Sequence, residues 1–170
     1  NLLGPLTSPA RVRRQVVGVS RPDRMELIAG ALLELGHERA LVVHGEPGMD
    51  ELSPLGTTRG VRLDEGRLEP FELRPERFGW EGLDPAGLRG GEPSRNARLA
   101  EGVLDGGERG AARAAVELNA AAAFWVAGRA DDLEEGVERA RASLDEGRAL
   151  EALDRLRSAS AAAGGISTSG

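Results

Sequence analysis

A strand–helix–strand pattern near the amino end of the chain constrains the fold most. Residues 12–19 (VRRQVVGV) are rich in β-branched side chains, which predicts a strand. Residues 22–35 carry apolar side chains at helical spacing, with a Pro suited to the first turn. Residues 40–43 are wholly apolar, which is typical of a strand covered on both faces. Two strands joined by a helix within about 30 residues indicate a βαβ unit with parallel strands.

The rest of the chain predicts a hairpin followed by helices. Residues 61–63 and 68–73 alternate apolar and polar side chains around an Asp-Glu-Gly turn at 64–66, which is typical of a β-hairpin. A Gly- and Pro-rich segment, residues 75–93, is expected to be a long loop with short turns. Helical spacing then predicts four helices, at residues 96–104, 111–127, 133–144 and 149–156.

These elements together predict an α/β fold in which one sheet is flanked by helices. No linker divides the chain, so residues 1–157 are expected to form a single α/β domain. Residues 158–170 are small and rich in Ser, Ala and Gly, a composition that predicts a flexible tail. Because the chain opens inside an apolar segment with no Met, we expect a fragment of a longer protein.

Composition excludes several classes of function. Cysteine is absent, which rules out disulfides and thiolate chemistry and favours a reducing compartment such as the cytoplasm. No apolar run approaches the roughly 20 residues that span a bilayer, so no membrane partner is expected. The net charge of −6 argues against a nucleic-acid partner. All 22 basic residues are Arg, so lysine-based covalent catalysis is excluded.

Two adjacent acids follow the second predicted strand, in the stretch VVHGEPGMDELSPLG at residues 42–56. Ligands of open α/β sheets collect beyond the carboxyl ends of the strands, where Asp50 and Glu51 are expected to lie. Paired carboxylates suit Mg²⁺, which takes oxygen ligands and usually bridges to substrate phosphates. Acidic pairs in surface loops are common, however, and the residues by themselves favour a solvated turn.

Three other polar features have a structural and a functional interpretation, and the structural one is favoured for each. His44 ends the same apolar run and could be a general base, although a lone His at a strand end is more often hydrogen-bonded. Gly90 and Gly91, before Asn96, could hold an anion or could permit a close packing turn. Asn119 lies within an apolar helix and needs a hydrogen-bond partner if it is buried, which indicates a structural tie.

Four stretches of the chain form a further pattern: NLLGPLTSPA at 1–10, VVHGEPGMDELSPLG at 42–56, GGEPSRNA at 90–97 and LNAAAAF at 118–124. In this order and at this spacing, they resemble the second half of the anthranilate phosphoribosyltransferases. The first two are specific and the last two are supporting, and the resemblance extends to about Leu156. The family usually has Asn where this chain has Ser8, a departure that affects no catalytic group.

The resemblance implies the C-terminal part of the large α/β domain of a nucleoside phosphorylase/phosphoribosyltransferase-like fold. It implies transfer of the phosphoribosyl group of phosphoribosyl pyrophosphate to anthranilate in tryptophan biosynthesis. Asp50 and Glu51 match the family's Mg²⁺-binding pair, and Gly4 and Pro5 match residues that line its anthranilate channel. The phosphate loop and most of the helical domain that builds the family's homodimer precede Asn1, so the isolated chain is expected to be inactive.

Alternatives to this interpretation come from three other classes of protein. A pyrimidine nucleoside phosphorylase shares the fold, but the Gly-Pro-Leu-Thr opening and the acid pair belong more naturally to the transferase. A non-catalytic relative that binds nucleic acid should carry a basic stripe, whereas charges of both signs are interspersed here. A scaffold fragment without any ligand is the third alternative, and Mg²⁺ binding that depends on Asp50 would argue against it.

Overall fold

The computed structural model describes residues 4–164, which form one four-stranded sheet with helices on both faces. The strands are β1 (Arg14–Gly18), β2 (Arg39–Gly45), β3 (Thr58–Asp64) and β4 (Arg67–Leu73). The longer helices are α1 (Met25–Glu34), α2 (Pro93–Leu104), α3 (Ala111–Val126), α4 (Leu133–Asp145) and α5 (Arg148–Gly164). None of the helices within this described part is long and apolar enough to cross a bilayer.

The predicted βαβ unit and hairpin are both confirmed. Strand β1 pairs in parallel with β2, with Val17 opposite Val42, and α1 connects the two strands. Strands β2, β3 and β4 then pair antiparallel in that order. The turn between β3 and β4 places Glu65 and Gly66 at positive φ, as a two-residue hairpin turn of the primed type requires.

Alternation along β2 divides the core between the two faces of the sheet. Val42 packs in a cluster with residues of α1, including Leu32. Leu41 and Val43 point to the opposite face, in a cluster with residues of α3 and α4 that includes Leu118. All of these apolar side chains are at most 2% exposed, so β2 is the covered central strand that its sequence predicts.

Helix boundaries differ from the prediction by more than one residue in three places. Helix α1 begins at Met25, because Pro22–Arg24 forms a separate 3₁₀ turn before it. The 75–93 segment contains short 3₁₀ turns, and α2 begins at Pro93 because Pro is well suited to a first helical turn. Helix α5 continues past its predicted end at Leu156 to Gly164, because the Ala residues there are strong helix formers. The predicted tail at 158–170 therefore starts as helix. Its last residues, 165–170, and the first three of the opening motif lie outside the described residues.

Candidate functional site

The segment at 46–57, which we call the acidic loop, joins β2 to β3 at the carboxyl end of β2. The N–H of Gly45 donates to the carbonyl of Met49 at 2.9 Å, and the N–H of Met49 donates back to the carbonyl of Gly45 at 2.7 Å. The N–H of Glu46 donates to the carbonyl of Thr57 at 2.9 Å. These backbone bonds hold both ends of the acidic loop together.

Two glycines allow the acidic loop to lie directly on the strand ends. A Cβ atom on Gly18, the last residue of β1, would lie only 1.4 Å from the carbonyl oxygen of Asp50. A Cβ atom on Gly45 would lie 2.6 Å from the carbonyl oxygen of Glu51. No side chain fits at either position without moving the loop. The acid pair therefore lies at the carboxyl edge of the parallel strands, where the sequence predicts it.

Two buried hydroxyl groups satisfy the backbone inside the acidic loop. Ser53 Oγ donates to the carbonyl of Glu46 at 2.5 Å and accepts from the N–H of Leu55 at 3.1 Å. The N–H of Ser53 donates to Thr58 Oγ1 at 2.9 Å. Sequence reasoning missed both residues, although small hydroxyl side chains beside a turn often bond nearby backbone groups.

Asn119 connects the acidic loop to helix α3. Its Oδ1 accepts from the N–H of Leu52 at 3.0 Å, and its Nδ2 donates to the carbonyl of Leu52 at 2.9 Å. The same Nδ2 donates to the carbonyl of Ala115 at 3.0 Å. The prediction of a structural tie is confirmed, and its partner is the residue that follows the acid pair.

The two acids are exposed side by side, and their charges repel. Partial desolvation raises the pKa of the Glu51 carboxyl, and the neighbouring Asp50 carboxylate adds to the increase. A bound cation would relieve both effects, because it favours the ionised form of each carboxylate. Among residues 4–164 no group of three potential metal-binding side chains occurs. The chain can thus offer an ion two carboxylates, which suits Mg²⁺, an ion that keeps several waters and binds substrate phosphates.

His44 has a structural role in this arrangement. Its Nδ1 donates to the carbonyl of Val19 at 2.7 Å, because a carbonyl oxygen can only accept. The bond joins the end of β2 to the residue after β1. The favoured interpretation of His44 as a hydrogen-bonded residue is therefore supported by its geometry.

One amide of the glycine pair before α2 is bonded within a local turn. The N–H of Gly91 donates to Asn96 Oδ1 at 2.8 Å, and Asn96 Nδ2 donates to the carbonyl of Gly91 at 3.0 Å. The Gly91 amide that an anion would need is thus already bonded. The favoured interpretation, a packing turn, agrees with this contact.

Gly4 and Pro5 lie near the amino ends of the parallel strands. They belong to a 3₁₀ turn, and the carbonyl of Pro5 accepts from Gln15 Nε2 at 3.2 Å. Gln15 is three residues before Gly18, the residue on which Asp50 packs, and this is about 10 Å along a strand. The structure brings Asp50 and Glu51 together, but it does not bring Gly4 and Pro5 into that pair.

Comparison with known proteins decides the family. Residues 1–150 match the glycosyl transferase family, a/b domain. The chain belongs to this glycosyl transferase family. It is 51% identical over 156 residues to the anthranilate phosphoribosyltransferase of Rubrobacter xylanophilus and 44% identical to that of Desulfosudis oleivorans. Each match covers 92% of this chain and 46% of the relative, so the chain spans about half the length of these curated relatives.

Solved structures of glycosyl transferase relatives share the same fold. Anthranilate phosphoribosyltransferase from Thermus thermophilus superposes with a TM-score of 0.81 at 44% identity, over 91% of this chain and 45% of that one. The Saccharomyces cerevisiae enzyme in complex with PRPP and Mg superposes with a TM-score of 0.77 at 30% identity, over 89% and 44%. The predicted α/β class and the resemblance to anthranilate phosphoribosyltransferases are both confirmed.

Proposed function

We propose that this chain supplies the Mg²⁺-binding portion of an anthranilate phosphoribosyltransferase. The complete enzyme would move the phosphoribosyl group of phosphoribosyl pyrophosphate onto the amine of anthranilate. One observation carries the proposal: the Asp50–Glu51 pair is held on the carboxyl edge of the sheet by a loop that packs on two strand-end glycines and is closed by backbone hydrogen bonds. A relative of the same fold was solved with PRPP and Mg, and another structure of the yeast enzyme contains 4-fluoroanthranilate.

The role of the two acids follows from the charge of the leaving group. In the transfer, the bond between ribose C1 and a pyrophosphate oxygen breaks, a C1–N bond to anthranilate forms, and the amine loses a proton. Asp50 and Glu51 would hold Mg²⁺ through their carboxylate oxygens. An ion held there would supply charge stabilisation for the departing pyrophosphate. Glu51 must be ionised to bind a metal, and because the pKa of its carboxyl is raised, metal binding should depend on pH.

The remaining contacts would come from the part of the relatives that this chain does not span. That part would provide the phosphate loop, the contacts to the sugar phosphate and most of the dimer interface. Gly4 and Pro5 would form part of the wall of the acceptor channel. The isolated chain should therefore be inactive, and the complete enzyme should be a cytoplasmic homodimer.

A segment exchange tests this function. In the Rubrobacter xylanophilus enzyme, the 156 residues that align with this chain would be replaced by this chain's own sequence. We expect this chimera to bind phosphoribosyl pyrophosphate in a Mg²⁺-dependent manner by calorimetry, and to consume anthranilate. The 170-residue chain alone should do neither.

Two matched variants make the test specific. Asp50→Asn in the chimera should weaken Mg²⁺-dependent binding and slow turnover. Glu92→Gln removes the same charge from an exposed residue whose side chain makes no capping bond, and it should change neither. A folded chimera that binds no phosphoribosyl pyrophosphate with Mg²⁺ would contradict the proposed function.

A further inference from the structure

The amide of Asn119 meets the backbone of the residue that follows the acid pair. It bonds both polar groups of Leu52, with Oδ1 accepting at 3.0 Å and Nδ2 donating at 2.9 Å. Leu52 is fully buried and Asn119 is half-buried, so in the folded chain the amide covers the backbone of Leu52 from water. Adjacent Cα atoms are about 3.8 Å apart, and the position of Leu52 therefore limits where Glu51 can lie.

The orientation of this amide is itself restrained. Nδ2 makes a further bond, to the carbonyl of Ala115 one turn earlier in α3, at 3.0 Å. A flipped amide would place Oδ1 against two carbonyl oxygens and Nδ2 against the N–H of Leu52. Only one orientation satisfies all three contacts, and it directs the Asn119 side chain at Leu52.

Helix α3 is anchored to the sheet near its carboxyl end. Arg14 Nη1 donates to the carbonyl of Ala127 at 3.0 Å, and Arg39 Nη1 donates to the carbonyl of Trp125 at 3.1 Å. The two Arg residues begin β1 and β2, and cations are favoured at a helix carboxyl end. These two bonds fix the position of the carboxyl end of α3 relative to the first residues of the parallel strands.

A buried ionic network anchors the other end of α3 to α4. Glu117 accepts from Arg113 Nε at 2.6 Å and from Arg141 Nε at 2.9 Å, and Arg113 Nη2 donates to Asp145 at 2.7 Å. Arg113 and Glu117 are 5% and 3% exposed. Charge-assisted bonds of this kind are shorter and stronger than neutral ones. Asn119 therefore projects from a helix that is held at both ends.

We infer that Asn119 is a positioning residue that sets the place of Asp50 and Glu51 relative to the sheet, through the backbone of Leu52. This inference rests on the proposed function, because it assigns to the contact a purpose in holding Mg²⁺. Asn119 touches neither acid side chain in these contacts, so its effect is indirect. Loss of its amide removes both bonds to Leu52, so the acidic loop is no longer tied to α3 at this point and is free to shift relative to it.

A purely structural role of Asn119 and a positioning role of Asn119 predict different experimental results. A structural role lowers the stability of the chain and leaves its Mg²⁺ dependence unchanged. A positioning role raises the Mg²⁺ concentration needed for half-maximal binding of phosphoribosyl pyrophosphate. Loss of a group that orients a metal ligand typically weakens metal affinity by about 10–100-fold.

The experiment compares two asparagines that make the same pair of backbone bonds. Asn119→Ala and Asn96→Ala are introduced separately into the chimera, and phosphoribosyl pyrophosphate binding is titrated against Mg²⁺ by calorimetry. For Asn119→Ala we expect the half-saturating Mg²⁺ concentration to rise about tenfold or more, with turnover recovering at saturating Mg²⁺. For Asn96→Ala, in the exposed first turn of α2, we expect a change within about twofold.

A double variant shows whether Asn119 acts through the acid pair. In an Asp50→Asn background, the further change Asn119→Ala should have little added effect on Mg²⁺ dependence, because the geometry that it sets is already lost. If each substitution raises the half-saturating Mg²⁺ concentration by its own factor and the double variant shows the product of the two factors, the inference is overturned. An Asn119→Ala chimera with the Mg²⁺ dependence of the unmutated one would also overturn it, while leaving the proposed function intact. If the unmutated chimera binds no substrate with Mg²⁺, both fail.

Hydrogen exchange supplies a measurement that needs no substitution. In the unmutated chimera, the amide proton of Leu52 should exchange much more slowly than that of Gly91, although both donate to an asparagine Oδ1. Equal exchange rates would mean that the Asn119 contact opens as easily as a surface turn, which would overturn the inference even if Asn119→Ala does not fold.

Discussion

Two loops of this protein are each held by an asparagine side chain that bonds the N–H and the carbonyl of one residue. The two contacts differ in how far apart the bonded residues are in the sequence. In the acidic loop, Asn119 bonds the N–H and the carbonyl of Leu52 from 67 residues away. In the turn before α2, Asn96 bonds the N–H and the carbonyl of Gly91 from five residues away. The first contact ties a loop to a distant helix, whereas the second closes a turn upon itself. Only the first can fix a functional group relative to the sheet.

Burial separates the two loops further. Leu52 and Ser53 are at most 1% exposed, whereas Gly91 and Asn96 lie at the surface. Water can replace a lost bond at the surface, but a buried backbone group that loses its partner retains its full desolvation cost. Equal chemical changes in the two loops should therefore have unequal effects, and paired substitutions can measure the difference.

The largest difference is expected from glycine substitutions. Gly18→Ala would place a Cβ 1.4 Å from the carbonyl oxygen of Asp50, whereas at Gly90 the nearest atoms, those of Asn96, are 3.7 Å away. Gly18→Ala should reduce the free energy of unfolding of the 170-residue chain by about 3 kcal/mol or more, at the upper end of overpacking effects. Gly90→Ala should stay within about 0.5 kcal/mol. Urea denaturation measures both, and similar values would contradict the close packing of the acidic loop.

Charge removal is expected to have the next largest effect. Asp50→Asn in the chimera should weaken Mg²⁺-dependent binding of phosphoribosyl pyrophosphate by about 100-fold, which corresponds to about 2.7 kcal/mol. Glu92→Gln, beside Gly91 in the other loop, should leave binding unchanged. Calorimetric titration at fixed ionic strength compares them. Equal weakening by both variants would indicate a general charge effect and not a metal site.

The stability of the two asparagine variants gives a smaller difference. Asn119→Ala should lower the free energy of unfolding of the chain by about 1–3 kcal/mol, because it removes two hydrogen bonds to the buried residue Leu52. Asn96→Ala should cost at most about 0.5 kcal/mol. Thermal unfolding followed by circular dichroism can measure the loss of stability in each variant. A loss for Asn96→Ala as large as that for Asn119→Ala would remove the distinction between the loops.

The smallest effect concerns pH. Because the pKa of Glu51 is raised, the folded chain holds that proton more tightly than the unfolded chain. This contribution to stability is present below the ordinary Glu pKa of about 4.3 and is lost as pH rises through the raised value. Its size should be at most about 0.5 kcal/mol, because the Glu51 side chain is exposed.

Unfolding curves of the chain and of Glu51→Gln, measured across that pH interval without Mg²⁺, test this expectation. The chain should lose stability relative to Glu51→Gln as the pH rises through the raised pKa of Glu51. Glu92→Gln is the control, and a pH trend of equal size in that variant would contradict the special environment of Glu51. In the chimera, Mg²⁺ affinity should fall as pH is lowered through the raised pKa.

Structural features that depend on neighbouring residues could be predicted from the sequence. The βαβ unit, the hairpin turn at Glu65 and Gly66 and the burial of β2 all follow from local periodicity and turn chemistry. The place of Asp50 and Glu51 follows from one further rule, that loops after parallel strands meet at one edge. The end of α5 was missed, because the Gly- and Ser-rich composition that follows it concealed a run of Ala.

Contacts between segments that are distant in the sequence could not be predicted from it. The sequence shows that Asn119 needs a partner, but nothing within several residues of it indicates Leu52. It shows a Gly at position 18, but not that the carbonyl of Asp50 packs against it. Ser53 and Thr58 resemble many other small polar residues until the fold buries them.

The sequence by itself determined the order of the helices and strands, the chemistry available to the chain and the edge at which its two acids lie. Each of these depends on local backbone preference or on hydrophobic burial, which has no direction. The tertiary structure alone decided that α3, anchored by Arg14, Arg39 and a buried ionic network, sets the place of the acidic loop. Hydrogen bonds are directional and act over about 3 Å, so they exist only once the fold has brought their two partners together.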